Sequence, residues 1–397
     1  MNDTHAGWFG PPAGEADIDR LSGIVAYAFG FPPAEMRGWL DRAGLAQVRV
    51  ARSGDGEVAA GLLRIPMGQF FGGRSVPLVG IAGVGVAPEA RGTGLATRLM
   101  QETMTELRAE GFALAGLYAS TQPLYRRAGF EQAGTRVEYR AVPRLLAMAD
   151  RTLPVIALGE ADRPEAQRLY REMAVTRDGW LDRGPYIWGR VWGPRAGTAH
   201  AFGVVEDGAM SGYVVLVQSQ NSQNHLELRA MDLVARTPGT ARRLLTLLAD
   251  HGSVADHVTW CGGPDDPLAG LLPEPASAVT IRQHWMLRVL DVQRALQARG
   301  WPAGLRASLT LELHGDILDG LDGRYALEVA GGEAAVRPGA SSGPLLRVTM
   351  LGLPGLYTGF RSPAVLKAMG LCDGTPDAMA AAQALFAGPP PSTPDMY

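Results

Sequence analysis

The sequence predicts an α/β protein with mixed sheets that is divided into more than one domain. The strongest indication is a strand–turn–helix–strand order: a valine- and glycine-rich run over residues 79–86, a glycine-rich turn, a helical pattern over 94–110 and a strand over 113–118. This order predicts a βαβ unit with parallel strands. The length of 397 residues, at about 100–200 residues per domain, indicates two to four domains.

Three groups of elements follow one another along the chain. In the first, helical spacing over residues 18–29 precedes strand patterns at 48–52, 58–65 and 79–86, with a glycine-containing turn at 53–56. In the second, strand patterns at 201–205, 211–217 and 258–261 surround a helix at 241–251. In the third, a short helix at 292–296 is followed by four strand patterns and three helical ones: 307–313, 325–329, 334–337, 345–350, 353–360, 364–369 and 377–386. Proline-flanked residues 140–154 and the region of residue 291 mark the boundaries between these groups.

Composition excludes several classes of protein. Apolar residues make up 46% of the chain, which is too high for a disordered protein, and the formal net charge of −3 argues against a chain-wide basic surface for nucleic acid. No apolar run approaches the roughly 18 residues of a membrane helix, and residues 1–5 lack a signal-peptide pattern. The only cysteines are Cys261 and Cys372, too few for a four-cysteine zinc site. We therefore expect a cytoplasmic protein with no metal, no membrane and no nucleic-acid partner.

The most informative segment is Arg91-Gly92-Thr93-Gly94-Leu95-Ala96, which fits the spacing Arg/Gln-x-x-Gly-x-Gly/Ala. It lies between the end of a predicted strand and the start of a predicted helix. The N–H groups of a first helical turn have no partner within the helix, and with the helix dipole they form an anion site. An ordinary βα turn is the alternative, since Gly and Arg are common there. The position of the pattern favours a turn that binds pyrophosphate.

A second motif follows at Leu124-Tyr125-Arg126-Arg127-Ala128-Gly129-Phe130. The two motifs at this separation resemble the GNAT superfamily of acyl-CoA-dependent N-acyltransferases. In that superfamily the Arg/Gln-x-x-Gly turn holds the CoA pyrophosphate. The strand before the turn is splayed at a bulge, and a tyrosine on the later helix protonates the leaving thiolate.

Other segments narrow the resemblance: residues 117–120, 266–272, 286–296 and the closing stretch 385–397 are similar to the enhanced intracellular survival (Eis) acetyltransferases. The resemblance implies two tandem GNAT-like domains over residues 1–145 and 146–290, the second degenerate, and a sterol carrier protein-like domain over residues 291–397. It also implies acetyl-CoA as cosubstrate, an aminoglycoside or other polyamine-like amine as acceptor, and a homo-oligomer, typically a hexamer.

The same resemblance assigns roles to individual residues. Tyr125 matches the general acid, and Tyr397 matches the terminal residue whose α-carboxylate is the general base. The positions that match the cofactor-binding residues are Val84, Gly85, Val86, Arg91, Gly92, Thr93, Gly94, Leu95, Ala96, Thr97, Ser120 and Thr121. From the residues alone, a tyrosine on a helix is more often part of the core, and a chain end is more often frayed and adds little to the core.

A second match to the turn pattern occurs at Arg236-Thr237-Pro238-Gly239-Thr240-Ala241. Pro238 removes one N–H donor from this turn, and no Leu-Tyr-x-x-Ala-Gly-Phe motif follows. We predict that the second domain is a degenerate copy without cofactor.

The predicted function is therefore acetyl-CoA-dependent N-acetyl transfer by direct attack of an amine. Two alternatives stay open. One is an acyltransferase of the same fold that acts on a peptide or natural-product amine. This alternative is supported by Met396, since the residue before the terminus is not acidic. The other is a lipid- or partner-binding protein with a vestigial acyltransferase half.

Overall fold

The computed structural model describes residues 8–193, 197–222, 224–272, 274–318 and 320–397, with only the backbone at Ile281. Residues 1–5, on which the expectation of no signal peptide rests, lie outside the described residues. Within the described ranges, no helix is both long and apolar enough to cross a bilayer.

Among the described residues, the first third of the chain combines six strands of a sheet with four helices. Its strands are β1 (Phe9–Gly10), β2 (Val48–Arg52), β3 (Val58–Phe71), β4 (Arg74–Val86), β5 (Leu114–Tyr118) and β6 (Glu131–Ala141). Its helices are α1 (Glu15–Phe29), α2 (Pro33–Ala43), α3 (Leu95–Ala109) and α4 (Gln122–Arg126). The β3–β4 hairpin is longer than the sequence pattern predicts, because it continues to a tight turn at Gly72 and Gly73, both with positive φ.

The middle third repeats this order with different lengths. Its strands are β7 (Val155–Ala157), β8 (Leu181–Asp182), β9 (Ala199–Glu206), β10 (Ala209–Gln220), β11 (Leu226–Ala235), β12 (Ala255–Gly262) and β13 (Ser277–Val289). Its helices are α5 (Arg163–Ala174), α6 (Pro185–Trp192), α7 (Pro238–Ala249) and α8 (Pro267–Gly270).

Thirteen strands of the described residues form one continuous sheet across both thirds. The link is β13, which inserts between β5 and β6: Trp285 pairs with Tyr118 of β5 and with Gly134 of β6. Strand β6 in turn pairs with β12 through Thr259 and Arg140. The last strand of the second unit therefore completes the sheet of the first, and the two units share one folded body.

The last third forms a separate five-stranded sheet with helices on it. Its elements are α9 (Val292–Ala298), β14 (Ala307–His314), β15 (Gly323–Ala330), β16 (Glu333–Pro338), β17 (Leu345–Thr349), α10 (Leu353–Thr358), α11 (Pro363–Ala368), β18 (Cys372–Gly374) and α12 (Pro376–Leu385). The strand order is β16-β15-β14-β17-β18. Residues after α12 leave this sheet and return to the junction between the first two units, which positions the candidate site.

Candidate active site

Strands β4 and β5 separate at a defined point. They pair in parallel at only three positions, of which the last is Gly80 with Gly116. Beyond it β4 continues to Val86 while β5 ends at Tyr118. A register shift against β3 places one extra residue in β4 near Gly83, whose φ is +59°. This bulge bends the strand and opens a cleft at the carboxyl ends of parallel strands, where ligands bind in α/β sheets.

The predicted pyrophosphate turn lies at the mouth of this cleft. Gly92 and Gly94 have φ values of +79° and +81°, which glycine adopts without strain. Gly94 is the residue before α3, and among the described residues no side chain caps that helix. A Cβ at either glycine would meet no atom within 4 Å. The start of α3 therefore presents unpaired N–H groups to open space, which fits an anionic group.

The residues around the turn hold its shape. The Thr93 hydroxyl donates to the carbonyl of Ala90 at 2.8 Å, and the Arg91 guanidinium donates to the carbonyl of Val86 at 3.4 Å. Leu95 is buried, while Ala96 and Thr97 are half-buried on the first turn of α3. The predicted turn is thus exposed and leads into a helix that buries one apolar face.

The strand side of the cleft carries the other predicted cofactor residues. Val84 and Val86 are half-buried, and Gly85 packs on α1, where a Cβ would lie 3.2 Å from Val25 Cγ2. The ring of Trp39 lies against Gly83 at the bulge, and its Nε1 donates to the Tyr186 hydroxyl at 2.6 Å.

Tyr125 is buried on α4, with its ring edge-on to Phe130 at a centroid distance of 6.4 Å. Burial raises the pKa of its hydroxyl, and a hydrogen bond with the Ser120 side chain opposes that rise. Ser120 and Thr121 are exposed just before this helix. Ser120 thus lies within hydrogen-bonding distance of Tyr125, and Thr121 is the next residue along the chain.

The C-terminal tail, residues 389–397, is packed between the first and second units. Thr135 N donates to the carbonyl of Pro391 at 3.0 Å, and Thr393 N donates to the carbonyl of Thr135 at 3.2 Å. Ser392 N donates to the carbonyl of Asp178 at 2.9 Å. Thr393 and Asp395 are buried. The expectation that the tail adds little to the core is therefore wrong, because several of its residues are buried and it forms a β-bridge with β6 between Ser392 and Thr135.

Tyr397 lies where β4 and β5 part. A Cβ added at Gly80 would be 2.6 Å from Tyr397 Cδ2, and one added at Gly116 would be 2.5 Å from the Tyr397 hydroxyl. Its ring is edge-on to Tyr118 at 5.6 Å and 67°. Loss of solvation raises the pKa of the Tyr397 hydroxyl. The last residue is thus held at the fork of the cleft.

The second unit has a similar strand pair but a different helix start. Strands β11 and β12 pair in parallel up to Arg229 and Thr259. At α7, Thr237 Oγ1 accepts a hydrogen bond from Thr240 N at 3.1 Å. The Glu206 carboxylate accepts the Thr237 hydroxyl at 2.8 Å. The side chains of Thr237 and Glu206 thus occupy the start of α7, and the negative charge of Glu206 disfavours an anionic ligand there.

Comparison with known proteins identifies the family. Residues 12–133 and 179–289 each match the acetyltransferase (GNAT) domain, and residues 292–394 match the sterol carrier protein domain. An uncharacterized N-acetyltransferase from Streptomyces avermitilis is 31% identical over 323 residues, 75% of each chain. The chain belongs to the GNAT N-acetyltransferases.

The acetyltransferase is also similar to solved structures over its whole length. A GCN5-related N-acetyltransferase from Anabaena variabilis has a TM-score of 0.93 and 32% identity, covering 98% of this chain and 99% of that one. Eis1 from Mycobacterium abscessus has a TM-score of 0.80 and 25% identity, covering 98% and 100%. The N-acetyltransferase Eis of Mycobacterium tuberculosis is 27% identical over 279 residues, 66% of each chain. The Eis-like arrangement and the mixed α/β fold that the sequence predicts are confirmed.

Several residues near the site are absent from the sequence prediction. Trp39 lies against the bulge and Tyr118 donates to the tail, while Gly80 and Gly116 leave room for the Tyr397 ring. A glycine within a strand often marks the close approach of another group. Gly80 and Gly116 are therefore the signal in the sequence that could have indicated a group packed against these strands.

Arg126 of the second motif and Cys261 have structural roles in the acetyltransferase. Arg126 pairs with Glu131 at 2.7 Å. The half-buried Cys261 thiol accepts a hydrogen bond from Arg136 at 2.7 Å, and burial raises its pKa. In the described part of the chain, no cluster of three His, Cys, Asp or Glu residues is placed to hold a metal ion.

Proposed function

We propose that the acetyltransferase transfers the acetyl group of acetyl-CoA directly to an amine at the fork of β4 and β5. The observation that supports this most strongly is the convergence of three features on that fork. They are the uncapped start of α3, the bulged strand β4 and the tail that ends at Tyr397. GNAT domains in general use acetyl-CoA, and the open space at Gly92 and Gly94 fits its pyrophosphate.

In this proposal the cofactor lies between the two strands. The N–H groups at the start of α3, with Arg91 beside them, bind the pyrophosphate. We assign the pantetheine to backbone groups of Val84 and Val86. The bulge frees Val84 from regular pairing with β3, and Val86, just beyond the bulge, is in register with Ala60. Ser120 and Thr121 lie beside the thioester end.

The reaction exchanges one bond for another. The amine nitrogen attacks the thioester carbonyl carbon, a C–N bond forms, and the C–S bond breaks. Tyr125 gives its proton to the leaving thiolate. A phenol with a pKa of about 10 transfers a proton to a thiolate whose conjugate acid has a pKa of about 8.5 at small cost. Because burial raises the pKa of Tyr125, its hydroxyl stays protonated at neutral pH.

The proton lost by the amine is assigned to the α-carboxylate of Tyr397. In water a carboxylate with a pKa of about 3.5 cannot readily deprotonate an ammonium with a pKa of about 10. Burial in general raises the pKa of a carboxyl group and lowers that of an amine, which narrows the difference between the two pKa values. A bridging water offers a second route for the same proton.

The charges around the tail bear on the acceptor. The charged residues that line a small cavity beside the tail are Arg136, Arg190, Arg229, Asp232 and Asp395. Arg183 pairs with both carboxylates and offsets one of their two charges, so the three lining arginines outweigh the remaining negative charge. Such a surface repels a polycation such as an aminoglycoside. This observation favours the second candidate acceptor, a peptide or natural-product amine with little positive charge.

A thiol-release assay tests the proposal. Acetyl-CoA is incubated with the protein and with amines graded from one to five positive charges, and free CoA thiol is measured. We expect amine-dependent release that is greatest for acceptors of low charge. Release with none of the amines would contradict the proposed reaction. Greatest release with aminoglycosides would overturn only the preference for low charge.

A lipid extract of the purified protein tests the remaining alternative. Stoichiometric lipid in a protein that does not bind CoA would favour a carrier with a vestigial acyltransferase half. The hexamer stays a prediction of the Eis resemblance, which sedimentation of the purified protein checks, and the cytoplasmic location stays a prediction from composition.

A further inference from the structure

A buried arginine attaches the tail to the second GNAT unit, in addition to the hydrogen bonds of Ser392 N to the Asp178 carbonyl and of Arg190 to the Met396 carbonyl. The Arg183 guanidinium donates to both oxygens of Asp232, at 2.6 and 3.0 Å. On its other side it donates from Nε to the Asp395 carboxylate at 3.0 Å, and Nη2 lies 3.0 Å from the second Asp395 oxygen. The side-chain exposures are 0% for Arg183, 1% for Asp232 and 7% for Asp395. One cation therefore joins a strand of the second unit to the tail.

Aromatic side chains fix this arginine in place. The guanidinium carbon of Arg183 lies 3.6 Å from the centroid of the Tyr170 ring and 4.7 Å from that of Trp188. The Tyr170 hydroxyl donates to Asp395 at 3.3 Å, and the Tyr213 hydroxyl donates to Asp232 at 2.6 Å. A planar guanidinium bidentate to a carboxylate and stacked on a ring has little freedom to move.

The attachment point lies two residues before Tyr397. The backbone carbonyl of Asp395 accepts the Tyr118 hydroxyl at 2.7 Å, and Tyr118 belongs to β5 of the first unit. Asp395 is therefore held from the second unit by its side chain and from the first by its backbone. Met396 is the one residue between Asp395 and Tyr397, and its carbonyl accepts a hydrogen bond from Arg190 at 2.6 Å.

We propose that Arg183 is a positioning residue: through Asp395 it fixes the terminal residue Tyr397 at the fork where acetyl transfer occurs. This inference rests on the proposed function, in which Tyr397 supplies the base. The inference also assigns a function to the second unit, which is predicted to be a degenerate copy that binds no cofactor. The tail residues Ser392 and Pro394 line a cleft of about 410 Å³ beside Trp260 of β12. In this proposal the cleft of the second unit binds the tail, whereas the cleft of the first unit binds the cofactor.

The chain offers a matched control at Arg64. This arginine is also buried and also faces two carboxylates, Glu106 and Glu110, each at 2.8 Å. Both glutamates lie at the end of α3 opposite to the predicted pyrophosphate turn. A substitution there disturbs a comparable buried ion pair without touching the tail.

The experiment compares Arg183→Lys, Asp395→Asn and Arg64→Lys with the unaltered chain. Release of Tyr397 by a carboxypeptidase is followed by mass spectrometry, and acetyl-CoA affinity and kcat are measured in parallel. For both tail variants we expect release to accelerate by more than about tenfold, because the protease cleaves the detached tail. We expect kcat to fall by about 10²-fold through misplacement of the base, with unchanged acetyl-CoA affinity. Arg64→Lys should change neither release nor kcat.

Two results would overturn the inference. Unchanged release in Asp395→Asn, which keeps the shape of the side chain, would show that the ion pair does not hold the tail. Faster release with full kcat would show that holding the tail does not matter for transfer. If the unaltered chain transfers acetyl to no amine, the proposed function fails instead, and the release rates still decide whether Arg183 anchors the tail.

Discussion

The hydroxyl of Tyr397 lies over the backbone of Gly116, so close that a Cβ at that position would be 2.5 Å from the hydroxyl oxygen. Gly116 is paired with Gly80, and the Tyr397 ring lies as close to that residue. This pair is the last one before β4 and β5 part. Two adjacent strands thus lack side chains at the position that the terminal aromatic ring occupies.

Gly116→Ala should displace Tyr397. The added methyl group collides with the aromatic ring, and overpacking of this kind costs about 1–3 kcal/mol. The cheapest relief is movement of the tail, because the strands are fixed by the sheet. We therefore expect a large fall in kcat and a small fall in melting temperature, measured by thiol release and by thermal unfolding.

Gly304→Ala is the control for this substitution. Gly304 is exposed in the third unit, and a Cβ there would meet no atom within 4 Å. It should leave both kcat and melting temperature unchanged. Full activity in Gly116→Ala, with acetyl-CoA affinity also unaltered, would show that Tyr397 need not occupy the fork.

The turn of the first unit should be the binding site for CoA. Gly94→Ala forces a residue with a side chain into φ +81°, at a cost of about 1–2 kcal/mol. Binding must restore that conformation, so the affinity for CoA should fall about tenfold. Calorimetric titration should give one CoA per chain before and after the substitution.

Gly239→Ala makes the same change at the corresponding position of the second unit. Gly239 has no strained φ, and the nearest atom to an added Cβ is Glu206 Oε1 at 3.6 Å. CoA affinity should not change, because Thr237 and Glu206 already occupy the start of α7. Two CoA molecules per chain, or equal effects of the two substitutions, would contradict the assignment.

Most elements of the fold could be predicted from local patterns. The strand at 48–52 coincides with β2, and the helix at 94–110 differs from α3 by one residue at each end. Periodicity reports which face of an element is buried, so it finds elements well. It did not reveal that β13 inserts between β5 and β6, because strand pairing between distant segments depends on tertiary packing and not on local pattern.

Local sequence patterns also predict only part of the candidate site. Each of the two motifs, one around Arg91 and one around Tyr125, is a short uninterrupted stretch of sequence, so it could be recognised directly. Arg183 and Asp395 are 212 residues apart, and Tyr118 and Asp395 are 277 apart. Buried ion pairs of this kind leave no periodic signal. Only the fold shows that an ordinary arginine on an ordinary loop holds the tail.

Tyr125→Phe should slow the chemical step and leave the affinity for acetyl-CoA nearly unchanged. The ring, which packs on Phe130, is retained, and only the hydroxyl beside Ser120 is lost. General acid catalysis contributes about 10²–10⁴-fold to a rate, and kcat should fall within that range. Stopped-flow measurement of thiol release separates this step from binding.

The pH dependence of kcat provides a second check on Tyr125. Burial raises the pKa of its hydroxyl above the ordinary value for tyrosine. The acid form therefore persists below that raised pKa and is lost only as the pH passes it. A fall in kcat that begins near neutral pH and disappears in Tyr125→Phe would contradict this, and full turnover in the variant would return Tyr125 to a packing role.

Extending the chain beyond Tyr397 should abolish turnover. If the α-carboxylate is the base, a further residue replaces it with an amide, which does not accept the proton. The added residue would also enter the fork, where the ring already lies against Gly80 and Gly116. Tyr397→Phe keeps both the carboxylate and the ring, so kcat should change little in that variant.

Comparing the extended chain with Tyr397→Phe distinguishes a role of Tyr397 as the base from a role as an anchor of the tail. The Asp395 ion pair with Arg183 is present in both variants, so the tail should remain attached in each. Extension then moves the carboxylate while it preserves the attachment, and Tyr397→Phe preserves both. Mass spectrometry must confirm that the extension is intact after the assay. Full activity in an intact extended enzyme would exclude the α-carboxylate, and the proton would then pass to an ordered water or to another side chain at the fork.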